Sequence, residues 1–156
     1  MLREISCVLA ASFLLTACAT EPWTQESVRN SVVVREPKDR VWARVINVSP
    51  REGLNITNAD SANGIISAEL SMKPWGGSGD IQDWAVCGAG GMLQRPLSQH
   101  VDVKIVVLPD PAGASVTVNA RFSELRQDKR TRTTHRVLCT SVGTFENTLL
   151  SKYLMN

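Results

Sequence analysis

Two long stretches in which every second residue is apolar constrain the fold of this chain more than any other feature. The stretches run from His100 to Leu108 and from Ser115 to Leu125, and Pro109 to Gly113 lies between them. The alternating apolar residues are Val101, Val103, Ile105 and Val107 in the first and Val116, Val118, Ala120 and Phe122 in the second. A period of two is typical of a half-buried strand, and Pro, Asp and Gly favour tight turns. The pattern predicts an antiparallel hairpin with one buried face.

The residues before this hairpin predict a strand, a helix and two further strands. Ser31 to Arg35 is β-branched, which favours a first strand. Pro37 suits the first turn of a helix, and Lys38 to Val48 follows it with apolar residues at helical spacing. Leu54 to Thr57 and Gly64 to Leu70 predict two strands joined by a polar turn. The predicted apolar stripe of the helix is Val41, Trp42, Val45, Ile46 and Val48.

The residues around and after the hairpin complete the predicted fold. Met72 to Gly91 has no regular period and predicts a loop, Thr131 to Thr140 predicts a strand, and Ser141 to Leu154 predicts a closing helix capped by Ser141. The order of elements predicts an α+β fold. We expect a two-layer sandwich in which one mainly antiparallel sheet of about five to six strands carries both helices on one face.

The first 17 residues have the features of a secretory signal. An apolar run from Ile5 to Leu15 follows Arg3 and is too short to span a bilayer, which takes about 20 apolar residues in a helix. One interpretation is a plain signal peptide that is cut near Ala17 or Ala19.

A second interpretation rests on the sequence Leu15-Thr16-Ala17-Cys18, which resembles the lipobox of bacterial lipoproteins. The resemblance implies cleavage before Cys18 and acylation of Cys18. In lipoproteins of the enteric type, an Asp after the acylated cysteine tends to retain the protein in the inner membrane. Because Ala19 occupies that position here, the resemblance favours the outer membrane and a domain that faces the periplasm. Residues 1–17 would be the signal peptide, 18–30 the lipidated cysteine and a flexible tether, and 31–156 a single α+β domain.

Two further stretches resemble envelope lipoproteins. Pro37 to Ala68 contains Pro-x-x-x-Val-Trp, then Gly-x-x-Ile, Asp and Gly-Ile-Ile, and it resembles the opening of BamC lipoprotein domains. Those domains belong to the machinery that assembles outer-membrane β-barrels and have a helix-grip α+β fold. Cys139 to Glu146 resembles the end of small uncharacterised periplasmic lipoproteins. These resemblances imply a fold and a compartment, and they transfer no functional residue.

The cysteine count predicts one disulfide. Cys7 would leave with the signal and Cys18 would carry lipid, so Cys87 and Cys139 would remain as two thiols in an oxidising compartment. A redox pair and a partial metal site are the alternatives. The sequence has no C-x-x-C motif, and two cysteines with two distant histidines are weak evidence for zinc. We therefore expect a structural disulfide, no metal site and no cofactor.

The candidate catalytic groups predict no enzyme. His100 and His135 are the only histidines, and the sequence contains no Gly-x-Ser-x-Gly motif. Asp80 and Asp83 are close in the sequence, but two acids in a loop are commonly solvated. An unrecognised envelope hydrolase that acts through Asp80, Asp83 or His100 remains an alternative.

The positive charge is concentrated in residues 126–136. The whole chain carries a formal charge of +2, which gives no argument for nucleic acid binding. This segment alone carries +4, from Arg126, Lys129, Arg130, Arg132 and Arg136 against Asp128. Such a hairpin can bind the phosphates of lipopolysaccharide or phospholipid, the anionic cell wall, or an acidic protein. It can also be a solvated strand edge whose charges discourage edge-to-edge pairing.

These observations predict a lipid-anchored, non-catalytic accessory or binding module of the bacterial envelope. Its partners would be the membrane, through Cys18, and an envelope protein. Binding of an envelope polyanion through residues 126–136 is the first alternative.

Overall fold

Residues 30–72 and 81–154 are described by a computed structural model, in which they form seven strands and two helices. The predicted signal peptide, Cys18, nearly all of the predicted tether and Asp80 lie outside these residues. The elements are β1 Ser31–Val34, α1 Lys38–Val48, β2 Asn55–Asp60, β3 Ile65–Met72, β4 Ala85–Val86, β5 Gln94–Asp110, β6 Gly113–Asp128, β7 Thr134–Ser141 and α2 Thr144–Leu154. Neither of the described helices has the length and apolar character needed to cross a membrane.

The hairpin of β5 and β6 forms the centre of one antiparallel sheet, as its alternating sequence predicted. The strand order is β2-β3-β5-β6-β7-β4, and β1 pairs with β6. Because β5 occupies one side of β6, the other side is shared by β1, which pairs with Ala114 to Thr117, and by β7, which pairs with Phe122 to Gln127. The α+β class is therefore confirmed.

The sheet is larger than the predicted five to six strands. The additional strand is β4, which lies in the segment that was predicted to be an irregular loop. Ala85 and Val86 pair with Ser141 and Thr140 of β7. Two residues are too few to show an alternating pattern, so only their contact with β7 makes this strand visible.

The face of the sheet that contacts the helices is called the core face. It carries the buried alternating residues of β5 and β6, together with Ile66 of β3. Val41, Val45 and Val48 of α1 are buried in the same core, and Trp42 and Ile46 pack against it, which confirms the predicted stripe. α1 contacts β5 and β6, and α2 contacts β6, β1 and α1.

A buried hydrogen-bond chain joins the two helices. Ser49 Oγ donates to the carbonyl oxygen of Val45 at 2.7 Å, and it lies 2.9 Å from the Tyr153 hydroxyl. Because the single hydroxyl proton of Ser49 is used for Val45, the Tyr153 hydroxyl donates to Ser49 Oγ. Burial raises the pKa of Tyr153 to about 12.

The closing helix begins later than its sequence predicted. β7 continues to Ser141, and α2 begins at Thr144. The Ser141 hydroxyl donates to the Glu146 carboxylate at 2.9 Å and accepts the N–H of Gly143 at 3.0 Å, so it orders the connection without being the residue that adjoins the helix. The physical reason is the pairing of Ser141 with Ala85, which extends the strand.

Candidate functional site

The core face changes from apolar to polar near the end of β6. Val101 of β5 and Phe122 of β6 are a directly opposed, buried pair, and the next pair on this face is Gln99 and Glu124. Arg126 follows Glu124 on the same face, and all three of these polar residues are buried. Buried polar groups require hydrogen-bond partners, so the segment that covers this end must supply them.

Arg126 holds that covering segment through its guanidinium group. Its Nε donates to Glu124 Oε1 at 2.9 Å, and its Nη2 donates to the carbonyl oxygens of Cys87 at 3.0 Å and Gly88 at 3.1 Å. The side chains of Arg126 and Glu124 are only 9% and 6% exposed. Arg126 was predicted to belong to an exposed basic hairpin, and the structure corrects this because its charge is paired inside the protein. The signal that sequence analysis missed is Glu124, two residues earlier and hence on the same face of the strand.

The disulfide holds the same segment. Cys87 is bonded to Cys139, as the sequence predicted, and the Cα atoms are 4.1 Å apart. The pair directly follows the two pairs that join β4 to β7. Beyond Cys87 the chain leaves the sheet at Gly88, whose φ of +67° is a conformation that glycine adopts readily. The disulfide and the Arg126 guanidinium thus together fix two consecutive residues, Cys87 and Gly88.

Aromatic packing connects this segment to the apolar core. The rings of Trp84 and Phe145 have centroids 4.9 Å apart, and those of Phe122 and Phe145 are 5.6 Å apart in an edge-to-face arrangement. Ile81 and Ala85 are buried in the same core. The polar end is therefore continuous with the apolar core through one aromatic cluster.

An open cavity of about 410 Å³ lies between this segment and the sheet. Its wall includes Gln82, Cys87, Gly90, Pro96, Glu124 and Arg126. Because Glu124 and Arg126 offset each other's charge, the lining favours neither an anion nor a cation.

The exposed cations lie beyond the cavity, around the β6–β7 turn. Lys129, Arg130, Arg132 and Arg136 are exposed, and no ion pair involves them within residues 30–72 and 81–154. Arg95 of β5 is exposed beside them and donates to Gln127 Oε1 at 2.7 Å, a contribution that sequence analysis missed because β5 begins earlier than predicted. We call Arg95, Lys129, Arg130, Arg132 and Arg136 the basic end.

The acidic residue next to the basic end, Asp128, uses its carboxylate within the β6–β7 turn. Asp128 Oδ1 accepts the backbone N–H groups of Arg130 at 2.8 Å and Thr131 at 2.9 Å. The hydrogen bonds from Thr131 and then Arg130 lower the pKa of Asp128 below its ordinary value. The Asp128 carboxylate thus shapes the turn, and the five exposed cations still exceed it by a net charge of four.

Large apolar side chains are exposed next to the basic end. Met92 is 97% exposed and Leu138 of β7 is 80% exposed, while Leu93 is exposed between β4 and β5. The carbonyl oxygen of Leu93 accepts the N–H of Lys129 at 2.7 Å, which holds the residues before β5 against the β6–β7 turn. Exposed apolar surface that is rimmed by polar residues is typical of interaction sites where it forms a contiguous patch.

The candidate catalytic groups do not meet at the basic end. The face of the sheet opposite the core face is called the outer face. On it, His100 Nδ1 lies 3.1 Å from Ser71 Oγ, and His100 Nε2 lies 3.0 Å from Asp102 Oδ1. Asp83 is exposed in a short 3-10 turn, and His135 is exposed on β7 opposite Arg126.

This Ser71–His100–Asp102 row has an unfavourable setting for acyl transfer. Glu69 lies directly opposite Asp102 and on the same face as Ser71, so a second carboxylate, besides the one that contacts His100, lies near the serine. A serine nucleophile needs donors that stabilise the developing oxyanion, and nearby negative charge has the opposite effect. No group of three His, Cys, Asp or Glu residues suited to a metal occurs in the described ranges.

No protein-family model matches this chain, and no curated protein matches its sequence.

Proposed function

We propose that the chain is a lipid-anchored accessory lipoprotein of the bacterial outer membrane that faces the periplasm and binds an envelope protein without catalysing a reaction. The observation that carries this proposal is the basic end, where exposed cations that have no ion-pair partner among the described residues adjoin the exposed Met92, Leu93 and Leu138. In this proposal both helices cover the core face of the sheet as a two-layer sandwich, which leaves the basic end free for a partner.

The anchor would act by proximity. Acylation of Cys18 would hold the domain at the membrane through residues 19–30, which reach at most about 40 Å when fully extended. Confinement raises the effective concentration of the domain for a partner in the same membrane. The disulfide supports this location, because structural disulfides persist in oxidising compartments.

The intact mass of protein extracted from bacterial membranes tests the anchor and the compartment together. We expect an N-terminal Cys18 that carries acyl mass, and two hydrogens fewer without reductant than with it. A Cys18→Ala variant is the matched control and should lack the acyl mass. An unmodified chain in the soluble fraction would contradict the tethering proposal.

Binding of an envelope polyanion is the second candidate, and one observation favours it. Arg132 has a φ of +62°, a left-handed conformation that costs a non-glycine residue about 1 kcal/mol. An arginine in a conformation that favours glycine is consistent with a role for its charge in binding an anion. The polyanion would be lipopolysaccharide, phospholipid or cell wall.

Vesicles of anionic phospholipid separate the two candidates. If the polyanion is the ligand, Arg130→Glu with Arg132→Glu should abolish a salt-sensitive interaction with the vesicles. If the surface binds a protein, the unlipidated wild-type domain should bind these vesicles no better than the charge-reversed variant does.

A further inference from the structure

The direction of the backbone groups along β7 can be read from two hydrogen bonds. The N–H of Asp128 donates to the carbonyl oxygen of Thr133 at 2.9 Å, and the N–H of Val142 donates to the carbonyl oxygen of Trp84 at 2.9 Å. In an antiparallel strand, alternate residues direct both backbone groups to the same side. The odd-numbered residues of β7 therefore face β6, and the even-numbered residues face away from it.

β4 covers only the last part of this outward side. It pairs with Thr140 and Ser141, and the chain then leaves the sheet at Gly88 to reach Arg126. Within the described ranges no strand pairs with the outward backbone groups of Thr134, Arg136 and Leu138. The side chains of these three residues are exposed as well. We call residues 134–138 the β7 edge.

The positive charge of the β7 edge favours some pairing strands over others. Unpaired strand edges are templates for another chain. Antiparallel pairing with a second copy would bring two basic ends together, and like charges at opposed positions destabilise a sheet. An extended acidic segment has the opposite effect, because Arg136 lies on the edge and Arg130 and Arg132 lie just before it.

We infer that the β7 edge binds an extended acidic segment of a partner protein by strand addition, in which backbone hydrogen bonds provide affinity and alternate side chains provide specificity. Arg136 and Leu138 are on one face of β7, so the added strand would place an acidic and an apolar residue there. This inference specifies the partner of the proposed protein-binding function and rests on that function.

The test uses a synthetic ten-residue peptide with blocked ends, in which Glu and Val take turns at the odd positions and every even position is Thr, so that one face of the strand carries both Glu and Val. We expect the peptide to slow amide hydrogen exchange at Thr134, Arg136 and Leu138 by roughly tenfold or more, since exchange requires these bonds to open. The amides of His135 and Val137 face β6 and should change little. The same peptide with an N-methyl group on every residue keeps its charge but has no backbone N–H on either edge, so we expect it to give no protection.

A pair of variants separates the backbone contribution from the charge. Arg136→Pro and Arg136→Gln both remove the charge, but only proline removes the outward N–H. Because that N–H faces away from β6, the β6–β7 hydrogen bonds are retained. We expect Arg136→Pro to bind the peptide roughly tenfold more weakly than Arg136→Gln, because edge pairing depends on backbone donors. Thr134→Pro offers the same test without a change in charge, and thermal unfolding checks that each variant folds.

Two results would overturn the inference. Peptide binding without protection of these amides would show attraction by charge alone. Protection before peptide is added would mean that the edge is already occupied, by a second copy if it depends on protein concentration and by the chain itself if it does not. Failure of acylation at Cys18 would overturn the anchor while leaving the edge experiment intact, so the two failures are distinguishable.

Discussion

The two ends of the core face are stabilised in different ways although they belong to the same strands. At the helical end, Val41 and Val45 of α1 are fully buried with the apolar residues of β5 and β6. At the other end, the face carries Glu124 and Arg126 and is covered by an irregular segment. Burial of apolar area is sufficient where two amphipathic helices are available. Where the cover is irregular, a disulfide and a buried ion pair hold it in position.

Loss of the disulfide should produce the largest difference in stability between the two ends of the core face. The bond closes 52 residues, so replacing both Cys87 and Cys139 by alanine should lower the free energy of unfolding by about 4 kcal/mol on the chain-entropy model. Denaturant titration measures this change in the free energy of unfolding. Hydrogen exchange should show that β4 loses more of its protection than Val103 and Ile105, because β4 also opens locally whereas the central strands exchange through global unfolding. Equal loss at both ends would contradict this expectation.

Removal of the Arg126 charge should be the next largest effect. Arg126→Met leaves Glu124 buried without its partner, which should cost about 3 kcal/mol. Arg136→Met makes the same change at an exposed position of the neighbouring strand and should alter stability by less than about 0.5 kcal/mol. A double variant, Arg126→Met with Glu124→Leu, should recover most of the loss. If denaturant titration gave the same free energy of unfolding for Arg126→Met and Arg136→Met, Arg126 would not hold the segment that contains Cys87 and Gly88.

At the helical end, Tyr153→Phe tests the buried hydrogen bond between Tyr153 of α2 and Ser49, the residue that follows α1. Losing its hydrogen bond to Ser49 should cost about 1 kcal/mol. Burial raises the pKa of Tyr153 to about 12, whereas an unfolded tyrosine titrates near 10. The stabilisation is therefore complete below pH 10 and is lost as the pH rises through 12. Denaturant titrations from pH 8 to 12 should show a steeper decline for the wild type than for the phenylalanine variant.

The smallest effect is expected in the β6–β7 turn, where stability and binding should change in opposite directions. Arg132→Gly relieves the left-handed backbone and should raise stability by about 0.5 kcal/mol, while removing a cation of the basic end. Arg130→Gly removes a neighbouring cation and should not raise stability, because Arg130 does not have a positive φ. Parallel denaturant titrations and binding of the acidic peptide would measure both quantities. A loss of stability in Arg132→Gly would contradict the strain argument.

The sequence by itself determined the elements that depend on local periodicity. Alternation over Val101 to Val107 and Val116 to Phe122 predicted the central hairpin, and the helical spacing of Val41 and Val45 predicted α1. The pairing of Cys87 with Cys139 followed from counting the cysteines that would remain if Cys7 left with a signal peptide and Cys18 carried lipid. These features depend on residues that are close in the chain or on a count, so no knowledge of distant contacts was required.

Only the tertiary structure decided the composition of the candidate site. Arg126 belongs to a run of cations in the sequence, yet it is buried because Glu124 and the carbonyls of Cys87 and Gly88 surround its guanidinium. β4 exists only through its contact with β7, and Arg95 joins the basic end only because β5 extends along β6. The physical reason is common to these cases: whether a charge is buried or exposed, and whether a strand edge is covered, depends on residues that are far away in the chain.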